Sequence, residues 1–228
     1  MRNIKIAPSI LAANASKLGE EMCKVEKAGA EWIHLDIMDG HFVPNLSYSA
    51  QVVKALRPLS KMFFDVHLMI SNPEKFIDDF IDAGADLITV HVEAVKNIDT
   101  LRKIAEYLHS KNIKAGISIK PKTSVREVED VLDIFDMLLI MTVEPGFGGQ
   151  SYMSEMENKI KTAANLADSK YKHLDIQVDG GINLKTVAHA ASCGANIFVA
   201  GSAVFNASDA NIVVKELRQK AIDAFSKR

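Results

Sequence analysis

Ala28-Gly-Ala-Glu-Trp-Ile-His-Leu-Asp-Ile-Met38 decides the fold, because it ends a helix and then runs at once into an apolar strand that carries charge. Gly29 offers the left-handed backbone that closes a helix, and the apolar run follows directly. The same junction is written twice more, as Ala83-Gly-Ala-Asp-Leu-Ile88 and Cys193-Gly-Ala-Asn-Ile-Phe198. A helical pattern precedes each copy. In Pro73-Glu-Lys-Phe-Ile-Asp-Asp-Phe-Ile81, Asn72 is placed to cap the helix and Pro73 to open its first turn. The repeating unit is therefore a helix followed by a buried strand.

Working outward from these junctions, apolar strand candidates fall near 4 to 8, 32 to 37, 62 to 68, 86 to 91, 113 to 119, 136 to 142, 174 to 179 and 196 to 200. Helical patterns separate them, and such alternation predicts an α/β protein with a parallel sheet covered by helices. Eight strands point to a closed (β/α)8 TIM barrel. The expected organisation is one domain over 1–228, since α/β barrels run as single units at this length. An open doubly wound sheet is the competitor. The unusual polar residues are spread over many strand ends rather than gathered at one crevice, which favours the barrel.

The composition, 48% hydrophobic and 25% charged, supports a sizeable core. A formal charge of −2 and a pI near 6.4 give no basic field for nucleic acid or an anionic membrane, so a small-molecule partner is expected. Cys23 and Cys193 are far apart and outside any C-x-x-C pattern, and both are expected to be reduced, packed thiols. The first residues lack the long apolar region of a signal peptide, and no stretch is long enough to span a membrane, so the expected location is the cytoplasm.

Side chains alternate along a strand, so in Trp32-Ile-His-Leu-Asp-Ile-Met38 the residues His34, Asp36 and Met38 share one face, with Ile33, Leu35 and Ile37 on the other. A buried His and a buried Asp are costly unless they are hydrogen-bonded, paired or bound to a metal. Barrel sites sit at the C-terminal ends of strands, and that is where Ser9, His67 in Phe64-Asp-Val-His-Leu-Met69, and Asp179 in Val178-Asp-Gly-Gly181 also fall. Two imidazoles and two carboxylates make a mixed nitrogen and oxygen donor set suited to zinc, iron(II), manganese or cobalt. Six of the twelve glycines, Gly146, Gly148, Gly149, Gly180, Gly181 and Gly201, follow the last three strand candidates, where barrels build phosphate sites. Glu144-Pro-Gly-Phe-Gly-Gly-Gln150 has the composition of a closing lid, and Gly201-Ser202 is placed to bring a helix N-terminus to a phosphate.

His34-Leu-Asp-Ile-Met-Asp-Gly-His-Phe-Val-Pro-Asn45, His67-Leu-Met69, Met141-Thr-Val-Glu-Pro-Gly-Phe-Gly-Gly-Gln150, Val178-Asp-Gly-Gly-Ile182 and Ala200-Gly-Ser202 resemble the ribulose-phosphate 3-epimerase family. The resemblance covers essentially the whole chain. It implies a phosphate-binding TIM barrel that interconverts D-ribulose 5-phosphate and D-xylulose 5-phosphate, assembled as a homo-oligomer. It further implies one divalent metal ion, Zn2+ or Fe2+ foremost and Mn2+ or Co2+ also suited, with no organic cofactor. By matching position, the resemblance makes His34, Asp36, His67 and Asp179 the metal ligands and Asp36 and Asp179 the acid/base pair. It makes Ser9, His67, Gly146, Phe147, Gly148, Gly149, Asp179, Gly180, Gly181, Gly201 and Ser202 the substrate contacts.

The chemistry agrees with this assignment. A proton beside a ketone is removable only if the enediolate is stabilised, which a chelated metal does as a Lewis acid. Inversion needs removal from one face and delivery to the other, so two carboxylates suffice. One alternative is a 3-epimerase for a six-carbon substrate such as allulose 6-phosphate; the intact Asp179-Gly-Gly-Ile182 resembles the pentose enzyme better. A phosphate-binding barrel lyase is another; decarboxylases of that kind typically carry Lys between paired aspartates, where Asp36-Ile-Met-Asp39 offers Met38. A catalytically silent binding barrel predicts a missing ligand or base, and none is missing.

Other polar residues read as support. Met38, Met69 and Met141 fall at strand ends, where the resemblance suggests a polarizable apolar lining. His91, before Glu93, reads as a structural histidine, and Asp39 as a brace for the loop after the second strand. Lys120-Pro-Lys122 departs from the family, many members of which carry Asn before the Pro. His41, His109, His173 and His189 read as surface or helix residues.

Overall fold

The computed structural model describes residues 2–228 and carries eight parallel strands, each within one residue of its expected bounds. They are β1 (Lys5–Pro8), β2 (Trp32–Met38), β3 (Phe63–Met69), β4 (Leu87–His91), β5 (Lys114–Ile119), β6 (Met137–Met141), β7 (Asp175–Asp179) and β8 (Ile197–Ala200). The sheet order is β1-β8-β7-β6-β5-β4-β3-β2. A parallel bridge between Ser9 and His34 brings the two outer strands together and closes the barrel. This seam is thin because β1 is only four residues long and ends at Pro8, which has no N–H to donate.

Helices α1 (Leu18–Lys27), α2 (Ala50–Leu56), α3 (Ile77–Asp82) and α4 (Ile98–Ser110) follow β1 to β4. Helices α5 (Glu157–Ser169) and α6 (Val187–Ser192) follow β6 and β7, and α7 (Ser202–Phe205) and α8 (Ala210–Phe225) follow β8. The three repeated junctions behave as their sequence demands: Gly29, Gly84 and Gly194 end α1, α3 and α6 with φ of 87°, 94° and 107°. In α4 the Asn97 side chain accepts from Thr100 N–H at 2.9 Å, capping the helix. Leu101, Ile104, Ala105 and Leu108 then form its buried stripe at helical spacing, each large side chain contributing about 2 kcal/mol.

Both faces of the sheet are covered. Ile33, Leu35 and Ile37 join the large apolar layer between sheet and helices, together with Val25 of α1 and Leu56 of α2. Trp32, Leu87, Met137, Leu139 and Ile197 pack in a separate cluster that fills the barrel interior. All seven residues of β2 are buried, so His34 and Asp36 occupy positions that a barrel ordinarily gives to Val or Leu.

Two local expectations fail. Asn72 does not cap a helix with its side chain: it takes φ −143° and ψ 68°, its carbonyl accepts from Lys75 N–H, and Pro73–Lys75 forms a 3-10 turn ahead of α3. A residue preceding proline is pushed out of the helical region, which explains the delayed start. Between β5 and β6 there is no α-helix either, only 3-10 turns at Val125–Glu127 and Glu129–Val131. Val125, Val128 and Val131 are all buried, and a three-residue period aligns side chains along a 3-10 rather than an α-helix.

Candidate active site and metal centre

The parallel register places acid beside imidazole on neighbouring strands: His34 pairs with Asp65, and Asp36 with His67. Asp179 reaches the same point from β7, across the barrel mouth. One donor atom from each of His34, Asp36, His67 and Asp179 lies within 4.8 Å of the others. Asp36 Oδ1 stands 3.3 Å from His34 Nε2 and 3.2 Å from His67 Nδ1, and Asp179 Oδ2 stands 4.0 Å from both nitrogens. The four side chains singled out on the sequence therefore converge.

The cluster has the chemistry of a cation site. His34 Nδ1 lies 2.7 Å from Asp65 Oδ2, and because a carboxylate accepts, Nδ1 carries the proton. In the neutral ring Nε2 then offers its lone pair to the other three ligands, and it is buried with no hydrogen-bond partner. Lone pairs from four residues pointing at one spot repel each other unless positive charge, a proton on His34 or a bound cation, lies between them.

Electrostatics follow from the same geometry. Burial disfavours the charged His34 ring, but Asp65 and Asp36 outweigh it and hold its pKa well above the ordinary value. Burial works against ionised Asp36 too, yet His34 and His67 keep it well below the usual carboxylate range. Asp179 is pushed up to about 7, first by burial and then by the charge on Asp36. His67 is lowered chiefly by burial, partly offset by Asp36, and burial takes His91 down to about 4.

Above the cluster opens a cavity of about 430 Å³. Asp36, Asp179 and Ser9 line it with Met38, Met69 and Met141, so the three methionines surround the spot where the carboxylates open. Gly146, Phe147, Gly148, Gly149, Gly180, Gly181, Gly201 and Ser202 also line it. His34 and His67 are fully buried and do not line it. Ser9 donates its hydroxyl to Asp36 Oδ2 at 2.5 Å, leaving Oδ1 toward the cluster.

The glycine turns are shaped by close approach. Gly180 has φ 122°, and a Cβ there would lie 2.5 Å from Val143 Cγ2 and 2.8 Å from the Val143 backbone nitrogen. At Gly181, φ is 67°, and a Cβ would overlap the backbone of Tyr152. The loop after β6 is held by Gln150, whose amide donates to the Glu144 and Phe147 carbonyls at 2.7 and 2.9 Å, and by Asn45, which donates to Gly146 O at 2.8 Å. Phe147 stays 54% exposed at its tip.

Residues 5–205 match the model of the ribulose-phosphate 3 epimerase family. The chain belongs to that family. The ribulose-phosphate 3-epimerase of Bacillus subtilis is 45% identical over 216 residues, covering 94% of this chain and 98% of the relative. That of Synechocystis sp. is 47% identical over 206 residues, 90% of this chain and 89% of its own. A solved structure of 3-keto-L-gulonate-6-phosphate decarboxylase from Vibrio cholerae covers 98% of this chain and 99% of its own with a TM-score of 0.71, at 13% identity. That likeness shows the shared barrel alone. Family membership makes the chain an epimerase, and so an isomerase.

Several supporting residues of this epimerase were not singled out on the sequence. Asp65 and Gln177 lie two positions before His67 and Asp179, on the same strand faces, and Gln177 donates to Asp65 Oδ2 at 2.5 Å. The period-two rule that found the ligands would have found both. Thr142 was passed over inside a quoted motif. Its N–H donates to Asp179 O at 2.7 Å and its hydroxyl lies 2.7 Å from Gly180 O. Asp39 braces its loop as expected, accepting from the N–H groups of His41, Phe42 and Ser71, each at 2.8 Å. His41, His109, His173 and His189 are exposed.

Proposed function

We propose that the chain interconverts D-ribulose 5-phosphate and D-xylulose 5-phosphate by proton transfer at carbon 3, with Asp36 and Asp179 as the two acid/base groups. The observation that supports this most directly is that these carboxylates come from non-adjacent strands, β2 and β7, yet share one cluster and open into one cavity. One carboxylate takes the carbon-3 proton, and the C–H electrons pass into the enediolate. The other, protonated at the start, delivers its proton to the opposite face. The carbon is inverted and the pair has exchanged protonation states, ready for the reverse direction.

His34, Asp36, His67 and Asp179 would hold one divalent cation of the Zn2+, Fe2+, Mn2+ or Co2+ type. When bound, it supplies the positive charge that stabilises the enediolate oxygens. Ser9 orients Asp36, and the three methionines present a polarizable apolar surface that keeps water from the reacting carbon. The glycine turns after β7 and β8 offer backbone N–H groups to the phosphate, with the Gly146 to Gly149 loop as the cover.

The test is to incubate metal-replete protein with D-ribulose 5-phosphate in heavy water, following xylulose 5-phosphate and deuterium at carbon 3. Product is expected, and its loss on chelation with recovery on adding a divalent ion supports the cation assignment. Absence of product overturns the reading.

A further inference from the structure

Beside the four-ligand cluster lie two polar side chains with no part in the proposed proton transfer, His91 at the end of β4 and Glu93 just beyond it. His91 is fully buried, its Nε2 lies 2.8 Å from His67 Nε2, and its Nδ1 lies 3.2 Å from Glu93 Oε2. Two ring nitrogens at hydrogen-bond distance share one proton, so one ring must donate and the other accept. Asp36 Oδ1, 3.2 Å from His67 Nδ1, asks for a proton there just as Glu93 does at His91, but a cation held by the cluster takes that place, and with it bound Glu93 decides which ring donates. A carboxylate only accepts, so His91 carries its proton on Nδ1 and accepts through Nε2. His67 then donates through Nε2–H, and the only lone pair of the neutral ring is on Nδ1, the atom 3.2 Å from Asp36 Oδ1 and 4.0 Å from Asp179 Oδ2.

We propose that Glu93 and His91 form a positioning relay that fixes the tautomer of His67 and so presents its Nδ1 to a divalent cation, doing in two steps what Asp65 does for His34 in one. The relay rests on the cation site proposed above. Its far end is anchored: Glu93 Oε1 accepts from Lys120 N–H at 2.7 Å and from the Thr123 hydroxyl, which ties the β4 end to the loop after β5. The contact from position 120 is made by backbone. Lysine there, in place of the Asn that many family members carry, therefore keeps the anchor. The Lys120 ammonium sits 3.7 Å from the centre of the Phe42 ring, which packs 4.9 Å from His91 and seals the relay from above.

Nitrogen-15 spectra of the Zn2+-loaded protein report each imidazole's tautomer. His67 is expected as the Nε2–H form and His91 as the Nδ1–H form; the reverse pair overturns the relay. Zn2+ titration of the metal-free protein against a competing chelator is the second readout. Glu93→Ala and His91→Leu are each expected to weaken Zn2+ binding by about tenfold or more. His91→Gln, whose amide oxygen replaces the Nε2 acceptor, is expected to recover most of the affinity. If His91→Leu fails to fold by circular dichroism, the wild-type tautomers and Glu93→Ala decide. Wild-type protein that binds no Zn2+ overturns the cation reading and the relay with it. Wild-type binding with an unaffected Glu93→Ala overturns the relay alone.

Discussion

Asp36 and Asp179 are the same side chain at the ends of two strands, and the protein holds them in opposite ways. The β2 carboxylate is fixed by side chains: Ser9 donates to Oδ2 at 2.5 Å, and His67 and His34 stand 3.2 and 3.3 Å from Oδ1. The β7 carboxylate is fixed by the backbone behind it, through Thr142 and the two glycines that pack against Val143 and Tyr152. Charge follows from this difference. Asp36, surrounded by imidazoles, lies well below the usual range despite its burial, whereas burial and the charge of Asp36 push Asp179 up to about 7. The proposed inversion needs one ionised and one protonated carboxylate at the outset, and unlike surroundings are how two like groups acquire unlike roles. A bound cation favours the ionised form of both, so the two walls set the difference between them rather than either value.

The sharpest way to break this comparison is to remove each carboxylate's chemistry while keeping its shape. Asp36→Asn and Asp179→Asn are each expected to lower epimerisation roughly 10³-fold, the middle of the range for a general acid or base, with circular dichroism unchanged. Heavy water adds a stricter reading. Each variant keeps one base and should wash deuterium into only one of the two epimers, and the two variants should label opposite epimers. Labelling of the same epimer by both would show that the carboxylates do not serve opposite faces.

Next in size comes the wall built from backbone. Gly181→Ala forces a side chain onto φ 67° and into the backbone of Tyr152. Left-handed strain and overpacking together are expected to cost about 3 kcal/mol, read as a lower midpoint in urea unfolding. Because Thr142 and the glycines set the position of Asp179, activity should fall further than stability explains. A stable Gly181→Ala with full turnover would mean that the β7 wall does not depend on this close packing.

The two walls also differ in how much of each is legible in the sequence. The β2 wall declares itself, because His34 and Asp36 alternate with Ile33, Leu35 and Ile37 and the pattern alone puts them in the barrel interior. Asp179 and its glycines stand out for the same reason at the end of β7. What escaped is what depends on neighbours from other strands. The two-residue period puts Asp65 on the face of His67, but its partner shows only when the β2–β3 register sets it beside His34, and Thr142 is one threonine in a motif until the turn after β7 folds onto it. His91 could be read only as structural, since the 2.8 Å contact to His67 joins two strands. The 3-10 turns after β5 were missed although the spacing of Val125, Val128 and Val131 carried the signal.

Asp65 gives a smaller test of the β2 wall. Asp65→Asn keeps an acceptor for His34 Nδ1–H but removes the negative charge behind the ring, so the lone pair on Nε2 becomes a weaker donor. Zn2+ affinity of the metal-free protein should drop between about 10- and 100-fold. Turnover at saturating metal should change much less. Equal losses of turnover at saturating and limiting metal would mean that Asp65 acts on the reaction itself and not through His34.

The smallest expected effect belongs to Ser9. Its hydroxyl donates to Asp36 Oδ2, the oxygen turned away from the histidines, and so aims the carboxylate that faces the cavity. Ser9→Ala removes one charge-assisted hydrogen bond, and about 1.4 kcal/mol of lost orientation corresponds to a roughly tenfold fall in kcat. Metal affinity and the unfolding midpoint should hardly move, because Oδ1 and both histidines keep their places. The result separates the two walls: side-chain positioning can be loosened by one contact at a time, whereas the backbone positioning of Asp179 fails as a block. A Ser9→Ala variant as impaired as Asp36→Asn would contradict this, since it would make the hydroxyl a participant in proton transfer rather than a support for the group that performs it.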